Sequence, residues 1–352
     1  MRQLKLSVVM PNYNHGPYIA EALDAIVNQS LRPFEVVVCD DGSTDNSVEI
    51  IQRFTSRYKF IRLIKNATNL GVFRTHSKLI ASVSGDYFYG AAADDKILPN
   101  FFEKSMALLQ QNPSAGILSA LSYIMDEKGK FKNIMQVPLI SKKACFITQS
   151  RVRKLFNAKG DWIFGVTAIM RLDYFRKEDG FRSDLYSFSD GFIEQVLALK
   201  YGACFIPEPL TAWRILEDSY AHKTGNDHQV YKKLIENSVL LMKTDYADIF
   251  PYEYVEKWRR LNYFYLHCNI FKKADNEKLV ELNVLPLFSR NVHGALLRLL
   301  KNLYNIKMLF MKAYLFIYFR GNIWQLVIQK ANFYYYKKHI LKSKEWNGGG
   351  CY

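Results

Sequence analysis

Two adjacent carboxylates, Asp94 and Asp95, sit in the stretch GAAADDKILP, directly after an apolar run and three alanines. Neighbouring carboxylates repel, and holding them beside a buried strand is costly unless a cation or strong donors compensate. The pair therefore either faces solvent or belongs with a positive group. A second pair, Asp40 and Asp41, ends the apolar run FEVVVCD, where Gly42 and Ser43 turn the chain. A carboxylate in such a place can accept hydrogen bonds from a nucleobase N–H or a ribose hydroxyl, which a buried pocket reads selectively. Ser43, Thr44 and Asp45 suit turn and helix-cap chemistry. A third polar cluster, PNYN at 11–14, follows another apolar run.

The elements that must position these groups are legible between Leu6 and about Leu118. LSVVM, FEVVVCD, FIRLI, DYFYGAAA and AGILSA read as strands, separated by the helix-like segments IAEALDAIVNQS, NSVEIIQRF, RTHSKLIASV and FFEKSMALLQQN. Alternation at this spacing implies parallel strands joined by right-handed crossovers, an α/β sheet flanked by helices. Gly16-Pro17 opens the first helix and Asp45 can cap the second. Ligands of such sheets sit beyond the carboxyl ends of the strands. All three polar clusters fall there, so they read as one site. Residues 119–230 are less regular, with a helix-like run from Asp190 to Tyr201 and a strand CFIPEPLTAW. Beyond about 231 helix-like aromatic and basic segments dominate. The chain is accordingly divided into 1–230, with halves 1–118 and 119–230, and a helical region 231–352.

Composition narrows the class. A chain of 352 residues that is 49% hydrophobic and 15% aromatic is neither disordered nor too small for a sizeable core. The five cysteines are scattered, with no CxxC pair or zinc spacing, which fits a reducing compartment. The N-terminal apolar run is too short for a signal peptide, so a cytoplasmic chain is expected. No G-x-G-x-x-G follows the first strand, which argues against a dinucleotide-dependent oxidoreductase.

SVVMPNYNHGPYIAEALDAIVNQS, FEVVVCDDGSTDNSVEII, NLGVFRTHSKLIASVSGDYFY and AADDKILP, in this order, resemble the nucleotide-binding half of the family 2 glycosyltransferases, with the GT-A fold. The resemblance covers roughly residues 5–215. It implies an inverting transferase that moves one sugar from a nucleotide-sugar donor, a UDP-sugar by this reading, to a saccharide or lipid-linked acceptor in cell-surface polysaccharide or glycolipid assembly. The alternative is a non-catalytic nucleotide-sugar-binding or scaffold protein of the same fold. By the same resemblance Pro11, Asn12 and Tyr13 wall the base, Asp40 and Asp41 bind the nucleotide, Arg74 approaches the nucleotide or its phosphates, and Arg214, beside Trp213, approaches the diphosphate or closes the site. A Mn2+ or Mg2+ ion bridging the diphosphate is implied, with Asp95 as ligand and Asp94 on the metal or the ribose. The usual acidic motif has a further acid where this chain has Ala92. SFSDGFIEQVLALKYGACFIPEPLTAWR resembles the later catalytic motif and makes Asp190 the candidate base, with Ser189 in place of the usual neighbouring acid; Asp184 and Glu194 are the alternatives. Trp162 and Gly180-Phe181 fall where the family lines its acceptor side. A Gln-x-x-Arg-Trp motif is missing, against a processive synthase.

The net charge of +15 is uneven, since residues 290–344 hold eleven Lys and Arg and no Asp or Glu. Charges interrupt this segment too often for a bilayer span. On a helical wheel Lys301, Lys312, Arg320 and Lys330 cluster with Arg298, leaving an aromatic and aliphatic face. That pattern suits an interfacial helix on anionic lipid, where each cation contributes roughly 1 kcal/mol. Peripheral association with the inner face of the cell membrane is therefore expected, the alternative being that the apolar face packs on the catalytic domain with the charges in water; no nucleic-acid partner is expected.

Overall fold

A computed structural model describes residues 2–135, 137–216 and 227–273. The basic segment 290–344 and its expected membrane face lie outside the described residues. The chain divides into two compact units, Met1–Ser219 with Tyr246–Pro251, and Tyr220–Asp245 with Tyr252–Tyr352.

The first unit is built on one ten-stranded sheet. Its opening half alternates β1 (Leu6–Asn12), α1 (Gly16–Val27), β2 (Glu35–Asp40), α2 (Ser47–Arg57), β3 (Ile61–Lys65), α3 (Val72–Ala81) and β4 (Tyr87–Gly90). β1 pairs parallel with both β2 and β4, and β2 with β3. The order β3-β2-β1-β4 means the chain winds outward from β1 to β3 and then returns to its other side. A crevice therefore opens between the loops that leave β1 and β4. Val8, Val9, Met10, Val36, Val37 and Val38 are fully buried, as both faces of these strands are covered.

The other half adds antiparallel strands to this parallel core, which makes the sheet mixed. The short β5 (Lys96–Ile97) and α4 (Phe101–Gln111) lead into β6 (Ile117–Met125), with β7 (Phe131–Ile134), β8 (Cys145–Ile147), α5 (Gln149–Lys159), β9 (Ile169–Arg171), α6 (Leu172–Lys177), α7 (Ser189–Tyr201) and β10 (Ala203–Arg214) following. β9 is inserted antiparallel between β4 and β6, so these two do not pair directly. DYFYGAAA was read as one strand, but β4 stops at Gly90 and the alanines turn away toward Asp94. β5 then pairs antiparallel with the end of β10, Ile97 opposite Thr211 and Lys96 opposite Ala212. This return carries Asp94 and Asp95 to the end of β10.

Aromatic packing joins the two halves. Tyr87 and Tyr89 lie on one face of β4; the Tyr89 ring meets Phe101 edge-on at 5.2 Å and Phe102 at 5.7 Å. Their hydroxyls donate to the carbonyls of Ala115 and Val166 at 2.8 and 2.9 Å, so burial leaves neither unsatisfied. Trp162, read as an acceptor-side residue, is instead fully buried against Phe156 and Phe205. Phe181, read with Gly180 on the same side, packs on His76 and Phe175, and Gly180 lies against the Phe175 ring.

The second unit contains α8 (His228–Lys243) and α9 (Tyr252–Lys273). Asp227 caps α8 by accepting from the amides of Gln229 and Val230. Lys243 pairs with Glu256, and Arg259 with Glu236. Among the described residues no helix is long and apolar enough to cross a membrane.

Gly202 ends α7 at φ +76, and a Cβ there would stand 2.7 Å from the Phe146 ring and 2.8 Å from the Ile147 carbonyl oxygen. Gly202→Ala should therefore destabilise the fold by about 1–3 kcal/mol. Urea denaturation checks this.

Candidate functional site

The strand register brings the polar clusters to one edge. Asn12 stands opposite Asp40, and Asp40 opposite Lys65, so β1, β2 and β3 end level. Asn12 is buried, and its Nδ2 donates to Asp40 Oδ1 at 2.8 Å and to Ser43 Oγ at 3.1 Å. Asp40 also accepts from the Ser43 amide and hydroxyl, so its carboxylate braces the turn after β2. Asn12 Oδ1 is buried without a partner among the described residues.

Asp41, expected on the nucleotide, organises the neighbouring loop. Its oxygens accept from Asn66 Nδ2 at 2.8 Å and from the amides of Leu70 and Gly71, each at 2.9 Å. Burial opposes the charge, but these donors outweigh it and hold the carboxyl below its usual range. Lys78 in turn donates to Asn66 Oδ1 at 2.7 Å. Asp41 thus fixes the loop that launches α3 and displays Arg74, which is exposed in the first turn of that helix. Pro11 is half-buried and Tyr13 is 43% exposed, free to flank a ligand in the crevice. Asn66 was not anticipated, though its place just past β3 at the carboxyl edge is the signal that could have found it.

Asp45 was expected to cap α2. Asn46 occupies the cap position without a side-chain bond, while Asp45 Oδ1 accepts from the Ser47 amide at 2.9 Å and Oδ2 from the Gly16 amide at 2.8 Å. One carboxylate therefore serves the starts of both α1 and α2.

Across the crevice lie Asp94 and Asp95. Asp95 is 8% exposed, and Oδ1 accepts from the Arg214 amide at 2.7 Å. Burial, reinforced by the charge of Asp94, pushes its carboxyl up to about 8. No described side chain pairs with Asp94, which is half-buried. The Arg214 side chain is committed within the protein. It is 3% exposed and fully engaged: Nε donates to the Asp94 carbonyl, one terminal nitrogen to the Asp126 and Glu127 carbonyls, and the other to Glu21 at 2.6 Å. The guanidinium also lies 4.9 Å from the Tyr18 ring centre. It locks the acidic loop to α1 and the β6–β7 turn.

Asp190 occupies the first turn of α7. Its Oδ1 accepts from the Gly191 amide at 2.8 Å. The carboxylate stays open to solvent, yet enough protein surrounds it that desolvation raises its pKa. Glu194, one turn on, is 3% exposed, and burial, then Asp190 and Asp161, push it well above the ordinary range. Both carboxylates face Gly165: a Cβ built there would stand 3.1 Å from Glu194 Oε1 and 3.6 Å from Asp190 Oδ2. Asp161 is held by Gln195 at 2.7 Å and pushed up to about 6 by burial. Ser189, in place of the usual acid, accepts from the Arg182 amide at 2.6 Å. Asp184 is ion-paired with Arg182, which lowers its pKa. Just before α7, Tyr186 holds φ 42, is 51% exposed, and sets its ring edge-on to Phe73 at 6.2 Å. Through that contact the approach to Asp190 meets α3 beside Arg74.

Residues 7–177 match the sequence model of glycosyl transferase family 2. These residues belong to that family. The family 2 domain has relatives such as the putative glycosyltransferase EpsE of Bacillus subtilis, 28% identical over 180 residues, 51% of this chain and 60% of EpsE. The chain spans less than two thirds of the length of this and the next curated relatives. Among solved structures, S. aureus TarS 1–349 in complex with UDP-GlcNAc has TM-score 0.56 at 18% identity, over 80% of this chain and 77% of that one. The mannosyltransferase PcManGT from Pyrobaculum calidifontis, in complex with GDP-Man and Mn2+, has TM-score 0.53 at 18% identity, over 92% and 88%. At that identity the likeness establishes the GT-A fold.

A family 2 domain implies a divalent cation, and the residues present fit one. Among the described residues no three acidic, histidine or cysteine side chains converge, so the protein alone offers no complete cage. The donor set is two carboxylates, one of them buried and raised in pKa by desolvation and then by its acidic neighbour, which the Arg214 amide and charge offset only in part. Mg2+ characteristically takes one or two carboxylates and completes its shell with substrate phosphates and water.

Because Arg214 holds two loops and a helix through its fork, Arg214→Lys should lose roughly 2–3 kcal/mol of stability despite keeping the charge. Equilibrium unfolding in urea measures it, and a loss under 0.5 kcal/mol would contradict the locking role.

Proposed function

We propose that this chain is an inverting glycosyltransferase that moves a single sugar from a UDP-sugar to a saccharide or lipid-linked acceptor in assembly of a cell-surface polymer. The observation that carries this reading is that one family 2 domain holds both the buried Asp95 beside Asp94, which no described side chain pairs, and an exposed acid, Asp190, in the first turn of α7. The nucleotide-sugar complexes of the fold neighbours support the donor class.

In this mechanism the nucleotide lies in the crevice between the β1 and β4 loops, flanked by Tyr13, with Arg74 at the phosphates. Asp40 and Asp41 keep the crevice wall in shape by the contacts given above. Asp95 and Asp94 would hold the cation, which when bound neutralises charge gathering on the leaving diphosphate. Asp190 accepts the proton of the acceptor hydroxyl. The freed oxygen forms a bond to the anomeric carbon as that carbon's bond to the diphosphate oxygen breaks on the opposite face, inverting its configuration. A base with a raised pKa is better matched to this work than an ordinary carboxylate. Glu194, buried beside it, is pushed up further by burial and by the charge of Asp190, so the exposed Asp190 is the member of the pair placed to take the proton.

Asp190→Asn should lower kcat by at least about 100-fold while changing UDP affinity less than about threefold. Near-normal turnover would move the base elsewhere. The acid limb of kcat/KM should fall above the ordinary aspartate value of about 4, because desolvation favours the protonated form.

Glu194 makes a separate stability prediction. Its folded pKa is raised, so its contribution is complete below about 4.3, the unfolded value, and is lost as pH rises toward the folded value. Glu194→Gln should therefore melt like the wild type near pH 4 and increasingly above it as pH rises. A gap that stays constant with pH would refute a buried, titrating Glu194.

A further inference from the structure

One stretch of the catalytic unit has a charge the mechanism does not use. Residues 128–160 contain nine Lys and Arg and no Asp or Glu, whereas the rest of 1–219 holds 18 basic and 23 acidic residues. All nine cations are exposed. Lys128, Lys130 and Lys132 lie on the β6–β7 turn and β7, Lys142 and Lys143 precede β8, and Arg151, Arg153, Lys154 and Lys159 lie on α5. Lys132 pairs with Asp126. Arg151, Arg153 and Lys154 form no ion pair with any described residue. α5 buries Val152, Leu155 and Phe156 and turns these cations outward. Lys159 donates to the Leu139 carbonyl at 2.9 Å, and its ammonium is destabilised by burial and then by the charge of Arg151.

The strip leads to the reaction centre. α5 packs against α7, which carries Asp190. Beyond Lys159 the chain passes Asp161, bonded to Gln195 of α7, and reaches Gly165, where Asp190 and Glu194 converge. From Arg151 to Lys159 the helix rises about 12 Å, room for several successive anionic groups.

We propose that this strip is the docking surface for the acceptor, and that the acceptor is a water-soluble polyanion, a chain bearing repeated phosphate or carboxylate groups. The inference rests on the transferase reading, since it names that enzyme's acceptor class. The surface favours such a chain over a membrane because interfacial binding needs apolar side chains to insert. Among the described residues of this unit the exposed large hydrophobic ones are Tyr13, Phe34, Leu70, Tyr186 and Ile215, none of them within 128–160. It favours it over single-stranded nucleic acid because base stacking needs a free aromatic face. Phe131 is already stacked on Tyr123 with ring centres 5.0 Å apart.

Site-resolved lysine acetylation of the full-length protein tests this, with sodium polyphosphate as the probe at low salt. Lys142, Lys143 and Lys154 should be labelled at least threefold more slowly with polyphosphate present, while Lys59 changes less than 1.5-fold. Neutral dextran should protect none of them. Absence of protection at the three lysines overturns the proposal, as does equal protection at Lys59. Vesicles containing 30% phosphatidylserine that protect the three lysines when polyphosphate does not would assign the strip to a membrane instead. Replacing Arg151, Arg153 and Lys154 together by Gln should raise the polyphosphate concentration that half-protects Lys142 and Lys143 at least fivefold, with an unchanged melting curve showing the fold intact. The Asp190→Asn protein should retain full protection; active Asp190→Asn with protected lysines would sink the catalytic assignment and leave the strip standing.

Discussion

The site depends on one guanidinium. Asp94 and Asp95 are placed where their repulsion and the burial of Asp95 would open the loop. The Arg214 side chain holds that loop by its backbone while its own amide holds Asp95. Nearly all its donors go to carbonyls or to Glu21, so the carboxylate charge is positioned without being neutralised at close range. An acidic pair tied in place in this way keeps its affinity for a cation. A salt bridge directly to Asp94 or Asp95 would have given stability and removed that affinity.

The same economy appears on the nucleotide side. Asp40 and Asp41 are adjacent in sequence but face different partners: one braces the β2 turn and Asn12, the other gathers Asn66 and the Leu70 and Gly71 amides. Gly42 makes their close packing possible, because at φ +76 it approaches the Thr68 backbone to a distance that a Cβ, at 2.9 Å, would not tolerate. The crevice is thereby bounded by backbone fixed from within. The side chains left to meet a ligand, Tyr13 and Arg74, are the exposed ones.

The first half of the fold was legible because it is local. Short valine-rich strands, amphipathic helices and turn residues alternate there, and the strand ends carried their polar residues in view. The antiparallel insertion of β9 was not legible, since a three-residue strand is stabilised by its neighbours rather than by its own pattern. Arg214 was found but its role stayed open: sequence shows a cation near a strand end, not the loop carbonyls and Glu21 that its fork engages. Trp162 failed likewise, because an aromatic residue in an irregular stretch looks the same in core and cleft. For Asp190 the sequence left Asp184 and Glu194 as rivals. The structure separates them physically, with Asp184 exposed and ion-paired, Glu194 buried, and Asp190 crowded but open.

The central claim is that the acidic loop is completed by a divalent ion carrying a nucleoside diphosphate. Calorimetric titration of UDP into the protein, with Mn2+ and with EDTA, tests it directly when repeated on Asp95→Asn. The account predicts that Mn2+ tightens UDP binding at least tenfold in the wild type, about 1.4 kcal/mol, and less than twofold in the variant. Equal UDP affinity with and without Mn2+, or a Mn2+ effect that survives loss of the Asp95 charge, would contradict it.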